Sequence, residues 1–149
     1  MRVLIMGLPG SGKTTLAEKL VEELGKTGPV EWINADDLRK ENDDWDFSPA
    51  GRIRQAFRMR DISERANELE MNAVCDFVCP TVETRQIFDA DLTIWLDTVK
   101  TSRYEDTNDM FEVPSAEEYD FRLESFEEVD EWVKTIADLV DILSIDSSE

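Results

Sequence analysis

The chain has 149 residues, enough for one compact domain over 1–149 and too few for two, and a hydrophobic content of 41% argues against disorder. Sixteen basic residues against thirty-five acidic ones give a net charge of −19 with no histidine, a surface that repels phosphate backbones and excludes extended nucleic acid and anionic membranes as partners. No apolar run approaches the roughly 18 residues of a membrane span, and the short apolar run Val3–Met6 falls far below a signal-peptide core, so the expected compartment is the cytoplasm.

Val3–Met6 reads as a buried strand. Lys13–Gly25 reads as a helix, with Leu16, Leu20, Val21 and Leu24 on one face and Gly25 closing it. After the turn at Gly28-Pro29, Val30–Asn34 is a second strand, and Asp36–Glu41 is a short helix leading to a polar loop through Phe47-Ser48-Pro49. A longer helix is expected from Ala50 to about Leu69. Ala73–Val78 reads as a third strand stopped by Pro80, followed by a short helix over Thr84–Phe88. Leu92–Leu96 is a fourth strand and Asp120–Leu123 a candidate fifth. Ser125 caps a last helix, Glu128 completes a capping box, and Leu139, Val140 and Leu143 form its apolar side. The tail Asp146–Glu149 is expected to fray. Trp32 and Trp95, both in strands, are expected in the core, and Cys75 and Cys79 are expected to stay reduced. This alternation of strand and helix predicts an α/β fold, a mainly parallel sheet with helices on both faces.

Gly7-Leu8-Pro9-Gly10-Ser11-Gly12-Lys13-Thr14 satisfies G-x-x-x-x-G-K-[ST] at every fixed position, after an apolar strand and at the start of an amphipathic helix. The fold class sharpens accordingly to the P-loop NTPase three-layer αβα sandwich. Gly10, Ser11, Gly12, Lys13, Thr14 and Thr15 form the candidate nucleotide cradle. There, inward-turned backbone amides and the helix N-terminus favour phosphate. With Mg·ATP as the expected ligand, Lys13 bridges the β- and γ-phosphates and the Thr14 hydroxyl ligates Mg²⁺.

In Asn34-Ala35-Asp36-Asp37-Leu38-Arg39, Asp36 lies just past the carboxyl end of the second strand, where ligands bind in open α/β sheets. With no histidine in the chain, a carboxylate or water must serve as proton acceptor, and Asp36 is the candidate base for an attacking hydroxyl. Arg39, three residues on, can bind an anionic acceptor. The competing reading makes Asp36 a helix cap, with Asp37 as the rival cap, and pairs Arg39 with a surface acid. Asp76 has two readings, a Walker-B-like acid toward Mg²⁺ and a partly exposed strand residue.

From Val3 to about Pro114 the sequence resembles the adenylylsulfate kinases, which phosphorylate the ribose 3′-hydroxyl of adenylylsulfate with ATP. The Asp-Gly-Asp-x-x-Arg motif of that family falls on Asn34–Arg39, which puts its presumed base on Asp36 and its arginine on Arg39. Its Gly-Phe-Ser and Asp-Arg-x-x-Asn runs resemble Asp46-Phe47-Ser48 and Gly51–Gln55. By that resemblance Phe47 stacks on the substrate adenine, while Arg52 and Gln55 hold the phosphosulfate or ribose. Val78-Cys79-Pro80 resembles Ile-Ser-Pro, which implies substrate contact at Cys79. Tyr104–Pro114 resembles Phe-Thr-Gly-Ile-Asp-x-x-Tyr-Glu-x-Pro, which implies that Tyr104 covers the other face of the adenine. Homodimers are common in that family, and the resemblance leaves a homodimer open here. Arg39, Arg52, Arg54 and Arg58 gather in an otherwise acidic chain and suit a doubly anionic acceptor, although Arg52 and Arg58 also fit a solvated helix face and Phe47 a buried loop anchor.

The chain departs from the family at Asn34, Ala35 and Gln55, which replace aspartate, glycine and asparagine. The basic lid is reduced to Lys100-Thr101-Ser102-Arg103, leaving Lys100 and Arg103 as the local candidates for its charge. Two other readings compete. Polynucleotide and nucleoside 5′-kinases also carry an Asn-x-Asp-Asp-x-Arg run, and the shortened lid fits a nucleotide-binding module without turnover.

Overall fold

The computed structural model describes residues 1–147. The elements alternate from β1 (Arg2–Met6), α1 (Lys13–Gly25) and β2 (Val30–Asn34) through α2 (Ala35–Asn42), α3 (Pro49–Glu68) and β3 (Asn72–Asp76). They continue with α4 (Val82–Phe88), β4 (Leu92–Leu96), α5 (Glu105–Met110), β5 (Phe121–Leu123) and α6 (Phe126–Ser147). The sheet runs β2-β3-β1-β4-β5 with every neighbouring pair parallel. Strands covered on both faces need no polar alternation, and β4 accordingly reads Leu-Thr-Ile-Trp-Leu, buried throughout.

One face of the sheet packs on α1 and α6 through Val3, Ile5, Leu20, Ile94, Ile136 and Val140. The other packs on α2, α3 and α4 through Leu4, Met6, Leu38, Met59, Cys75 and Phe88. The chain leaves β1 toward β2, returns to place β3 between them, then crosses to β4 on the far side of β1. Strand order therefore reverses at β1 and β3, and a crevice opens beyond their carboxyl ends.

Several boundaries differ from the sequence expectations for local reasons. β3 stops at Asp76 rather than Val78, and Cys79 adopts a left-handed φ of 48° immediately before Pro80, which has no N–H to pair. α4 starts two residues early because Thr81 and Thr84 form a reciprocal capping box. Ser48 caps α3 by accepting from the Gly51 N–H at 3.2 Å, with Pro49 in the first turn. At α6, Ser125 Oγ accepts from the Glu128 N–H at 3.3 Å, but the Glu128 carboxylate reaches the N–H of Glu124, not of Ser125, so the expected box is only half made. α5 and the 3₁₀ turn Ala116–Glu118 were not expected, being short, acidic and without apolar periodicity.

Trp95 is buried as expected, whereas Trp32 is 36% exposed on the edge strand β2 and is no core residue. Cys75 and Cys79 are both free and buried. α6 continues through Ser147, so the first half of the expected fraying tail is helical; Ser148 and Glu149 lie outside the described residues. Among the described residues no helix is long and apolar enough to cross a membrane.

Candidate functional site

The loop Gly7–Thr14 joins β1 to α1 above the crevice. A Cβ on Gly7 would sit 2.7 Å from the Leu96 carbonyl oxygen, so only glycine lets the loop lie against the end of β4. Gly12 opens α1 at φ 99°, and neither a side-chain cap nor an acidic residue covers the helix start. The first-turn amides are thus free for an anion. Ser11 is buried beneath the loop; its carbonyl accepts from Thr98 Oγ1 at 2.7 Å, while its own Oγ has no partner among the described residues.

Lys13 folds back so that Nζ donates to the Leu8 carbonyl at 3.1 Å. Burial lowers its pKa to about 8, with Asp76 and Asp36 opposing the shift and Arg52 adding to it. Thr14 Oγ1 donates to Asp76 Oδ2 at 3.3 Å. Asp76 is only 3% exposed and burial raises its pKa, although Trp32, Asn34 and Thr14 donate to it and Lys13 lies near. Of its two sequence readings, that of a partly exposed strand residue is excluded.

Past β2, the residue that caps α2 is Asn34, whose Oδ1 accepts from the Asp37 N–H at 3.0 Å. Neither Asp36 nor Asp37 caps the helix. Asp36 is exposed, no hydrogen bond to another described residue engages its carboxylate, and its charge acts on Lys13, Arg39 and Arg52.

Arg39 is buried and pairs with no acid among the described residues. Its Nη1 donates to the carbonyls of Asp44 and Asp46 at 3.0 and 3.1 Å, and its guanidinium carbon lies 4.5 Å from the Phe47 ring centroid. The Arg52 guanidinium is 4.8 Å from the same ring, which is itself half exposed rather than a buried anchor. Arg52 Nη2 donates to Thr107 Oγ1 at 2.7 Å, and its buried Nε has no partner among the described residues. Burial and the charge of Arg39 hold its pKa down to about 10.

The expected gathering of four arginines is halved. Arg54 bonds to Asp44 and Asp46, and Arg58 to Asp44 at 2.6 Å, so both belong to an ion-pair network behind the loop. Gln55 has both amide ends engaged, Nε2 donating to Ala35 O at 3.0 Å and Oε1 accepting from Arg58 at 3.2 Å.

A cleft of about 1410 Å³ collects these groups. It is lined by Gly10, Gly12, Lys13, Thr14 and Thr15 on one side, and by Asp36, Arg39, Phe47, Arg52, Gln55, Cys79 and Tyr104 on the other. Ser11 is not in its lining. Cys79 is buried, its thiol pushed up to about 12 by burial, and its carbonyl accepts from Arg85 Nε at 3.0 Å. Tyr104 is half exposed, its hydroxyl accepting from Arg103 at 2.8 Å. Arg103 lines the cleft, but Lys100 lies toward Asp97 and does not.

Sequence reasoning missed Trp45, a half-exposed cleft residue whose ring lies 6.4 Å from that of Phe47. It also missed the Trp32 N–H on Asp76, the Thr107 hydroxyl on Arg52, and the capping role of Asn34. A tryptophan in so polar a loop was the signal for Trp45, and the preference of asparagine for the N-cap was the signal for Asn34.

A family profile described as Adenylylsulphate kinase matches residues 1–100. The match ends before Tyr104–Pro114, so the resemblance extended there stands outside it. Among solved structures, a mutant of the APS kinase CysC of Mycobacterium tuberculosis is 23% identical over 94% of this chain and 96% of that one, with a TM-score of 0.75. A structure of that Mycobacterium tuberculosis kinase in complex with AMPPNP and APS is 20% identical over 94% of this chain and 96% of that one, with a TM-score of 0.76. Shikimate kinase from Aquifex aeolicus is 16% identical over 99% of this chain and 98% of that one, with a TM-score of 0.62. These likenesses establish the P-loop kinase fold. No curated protein matches the chain.

Proposed function

This chain belongs to the adenylylsulphate kinase family of P-loop kinases, and from that premise we propose that it transfers the γ-phosphoryl of Mg·ATP to the 3′-hydroxyl of adenylylsulfate. The whole chain acts as one catalytic domain on a small nucleotide, with no extended nucleic acid as partner. The observation that carries the proposal is the Asp36 carboxylate, left without a capping role by Asn34 and facing the charges of Lys13, Arg39 and Arg52.

The chemistry follows from these positions. The amides of Gly10–Thr15 and the Lys13 ammonium hold the β- and γ-phosphates. Thr14 Oγ1 and Asp76, 3.3 Å apart, are the residues that would hold Mg²⁺. An oxygen-seeking ion that keeps phosphate and water in its other positions needs no more protein than that, and among the described residues no larger cluster of metal ligands exists. When bound, Mg²⁺ neutralises charge on the phosphate oxygens. Asp36 takes the proton of the acceptor hydroxyl as its oxygen forms a bond to the γ-phosphorus and the bond to the ADP oxygen breaks. Arg39 and Arg52 bind the acceptor's anionic group, and Phe47, Trp45 and Tyr104 supply aromatic surface for its adenine.

An ADP-release assay run with adenylylsulfate, nucleosides and a 5′-hydroxyl oligonucleotide tests the acceptor. Release that depends on adenylylsulfate is expected. Turnover with the oligonucleotide alone would instead support the 5′-kinase reading, which the Asn34–Arg39 run favours, and would remove adenylylsulfate as the acceptor.

A further inference from the structure

Asp76 is held from three directions. Trp32 Nε1 donates to its Oδ1 at 2.8 Å, while Asn34 Nδ2 and Thr14 Oγ1 donate to its Oδ2 at 2.9 and 3.3 Å. The sheet register makes this arrangement natural. Asn34 lies opposite Asp76 and Trp32 opposite Val74, and the two-residue period of a strand points Trp32, Asn34 and Asp76 to one face. That face packs on α1, which brings Thr14.

Trp32 inverts the usual burial of a tryptophan, for the residue is 36% exposed on an edge strand while its polar N–H is spent on a carboxylate that is 3% exposed. Hydrophobic burial alone does not account for that placement; the hydrogen bond does. It is the only bond to Oδ1 among the described residues, and the other two donors both serve Oδ2. Without it, Oδ1 is a buried acceptor with no donor, and the carboxylate is held through Oδ2 alone.

We propose that Trp32 is a positioning residue for the metal–nucleotide site, its N–H fixing the rotation of the Asp76 carboxylate so that Oδ2 faces Thr14. The inference rests on the assignment of Thr14 and Asp76 to Mg²⁺ made above. With Oδ1 anchored by Trp32, Oδ2 can go on accepting the Thr14 proton, which leaves the lone pairs of the hydroxyl oxygen for a cation. Partners of this kind behind a metal ligand typically change metal affinity by about 10- to 100-fold.

The test is calorimetric and needs no turnover. AMPPNP is titrated into the full chain with and without Mg²⁺, and the ratio of the two affinities is the readout. Trp32→Phe keeps an aromatic ring and removes the N–H. It should lower that ratio about tenfold, while the metal-free affinity, which also reports a folded cradle, stays at the parental value. Asp76→Asn should lower the ratio at least as far. Trp32→Gln returns an N–H donor without the indole and should recover part of the ratio. A parental ratio in Trp32→Phe beside a lowered one in Asp76→Asn would overturn the role of Trp32 and leave the metal assignment standing. Parental ratios in both would overturn the assignment together with the inference. If Trp32→Gln falls as low as Trp32→Phe, or if metal-free binding falls equally in Trp32→Phe, the indole acts by packing and the proposal fails.

Discussion

The wall of the cleft proposed to hold phosphate comes from one short stretch, Gly10 and Gly12–Thr15, whereas the wall proposed to hold the acceptor is assembled from α2, the loop behind it, α3 and the segment after β4. The first wall needs glycines, one lysine and a helix start, all close in sequence. Little around it can drift without losing the loop. The second needs Arg39 and Arg52 brought against Phe47, and Arg52 bonded to Thr107 55 residues away. Such a surface can be retuned residue by residue while the fold persists. The family match ends at residue 100, just ahead of the segment that contributes Tyr104 and Thr107 to the second wall.

The sharpest way to break this contrast is Lys13→Ala, which should lower kcat by about 10³-fold through loss of a charged group on the phosphates; steady-state ADP release measures it. Asp36→Asn should follow, lowering kcat by about 10²-fold while calorimetric AMPPNP affinity holds. An unchanged rate would take the base role from Asp36. Phe47→Ala touches the acceptor wall alone and should raise the acceptor KM about tenfold, leaving the KM for ATP as it was. A comparable rise in both would show that the two walls are not independent.

The smallest effect concerns protons. Burial holds the Lys13 pKa at about 8, and bound phosphates favour its charged form. At about pH 8.5 nucleotide binding should therefore take up a proton, seen as a buffer-dependent calorimetric heat, and affinity should fall by a few fold as pH rises further. Stability of the unliganded protein moves the opposite way. The unfolded chain keeps the lysine proton up to the usual range near 10.5, so between about 8 and that value this group makes stability rise with pH.

Much of the site was legible because it is local. The cradle at Gly7–Thr14, Asp36 past β2 and the cleft position of Arg39 follow from spacing along a few residues, and that of Phe47 from the family resemblance. The arginine cluster was only half legible. Arg52 and Arg54 are two apart on one helix, yet Arg54 bonds to Asp44 and Asp46 while Arg52 turns into the cleft. Sequence spacing alone does not decide which of two arginines an acidic loop will claim. α5 was illegible for another reason: it buries little beyond Thr107, so it carries no apolar period to read.

By itself the sequence determined that a phosphate-binding loop joins a buried strand to an amphipathic helix inside a parallel α/β fold, because glycine, lysine and apolar spacing act over a turn or two of chain. Only the tertiary structure decided that Trp32 leaves the core to hold Asp76, 44 residues away, and that Asn34, whose cap on α2 is local, also donates to that carboxylate. Those choices depend on strand register and on which donors meet a carboxylate with little access to water. Both are properties of distance in space, which no pattern along the chain records.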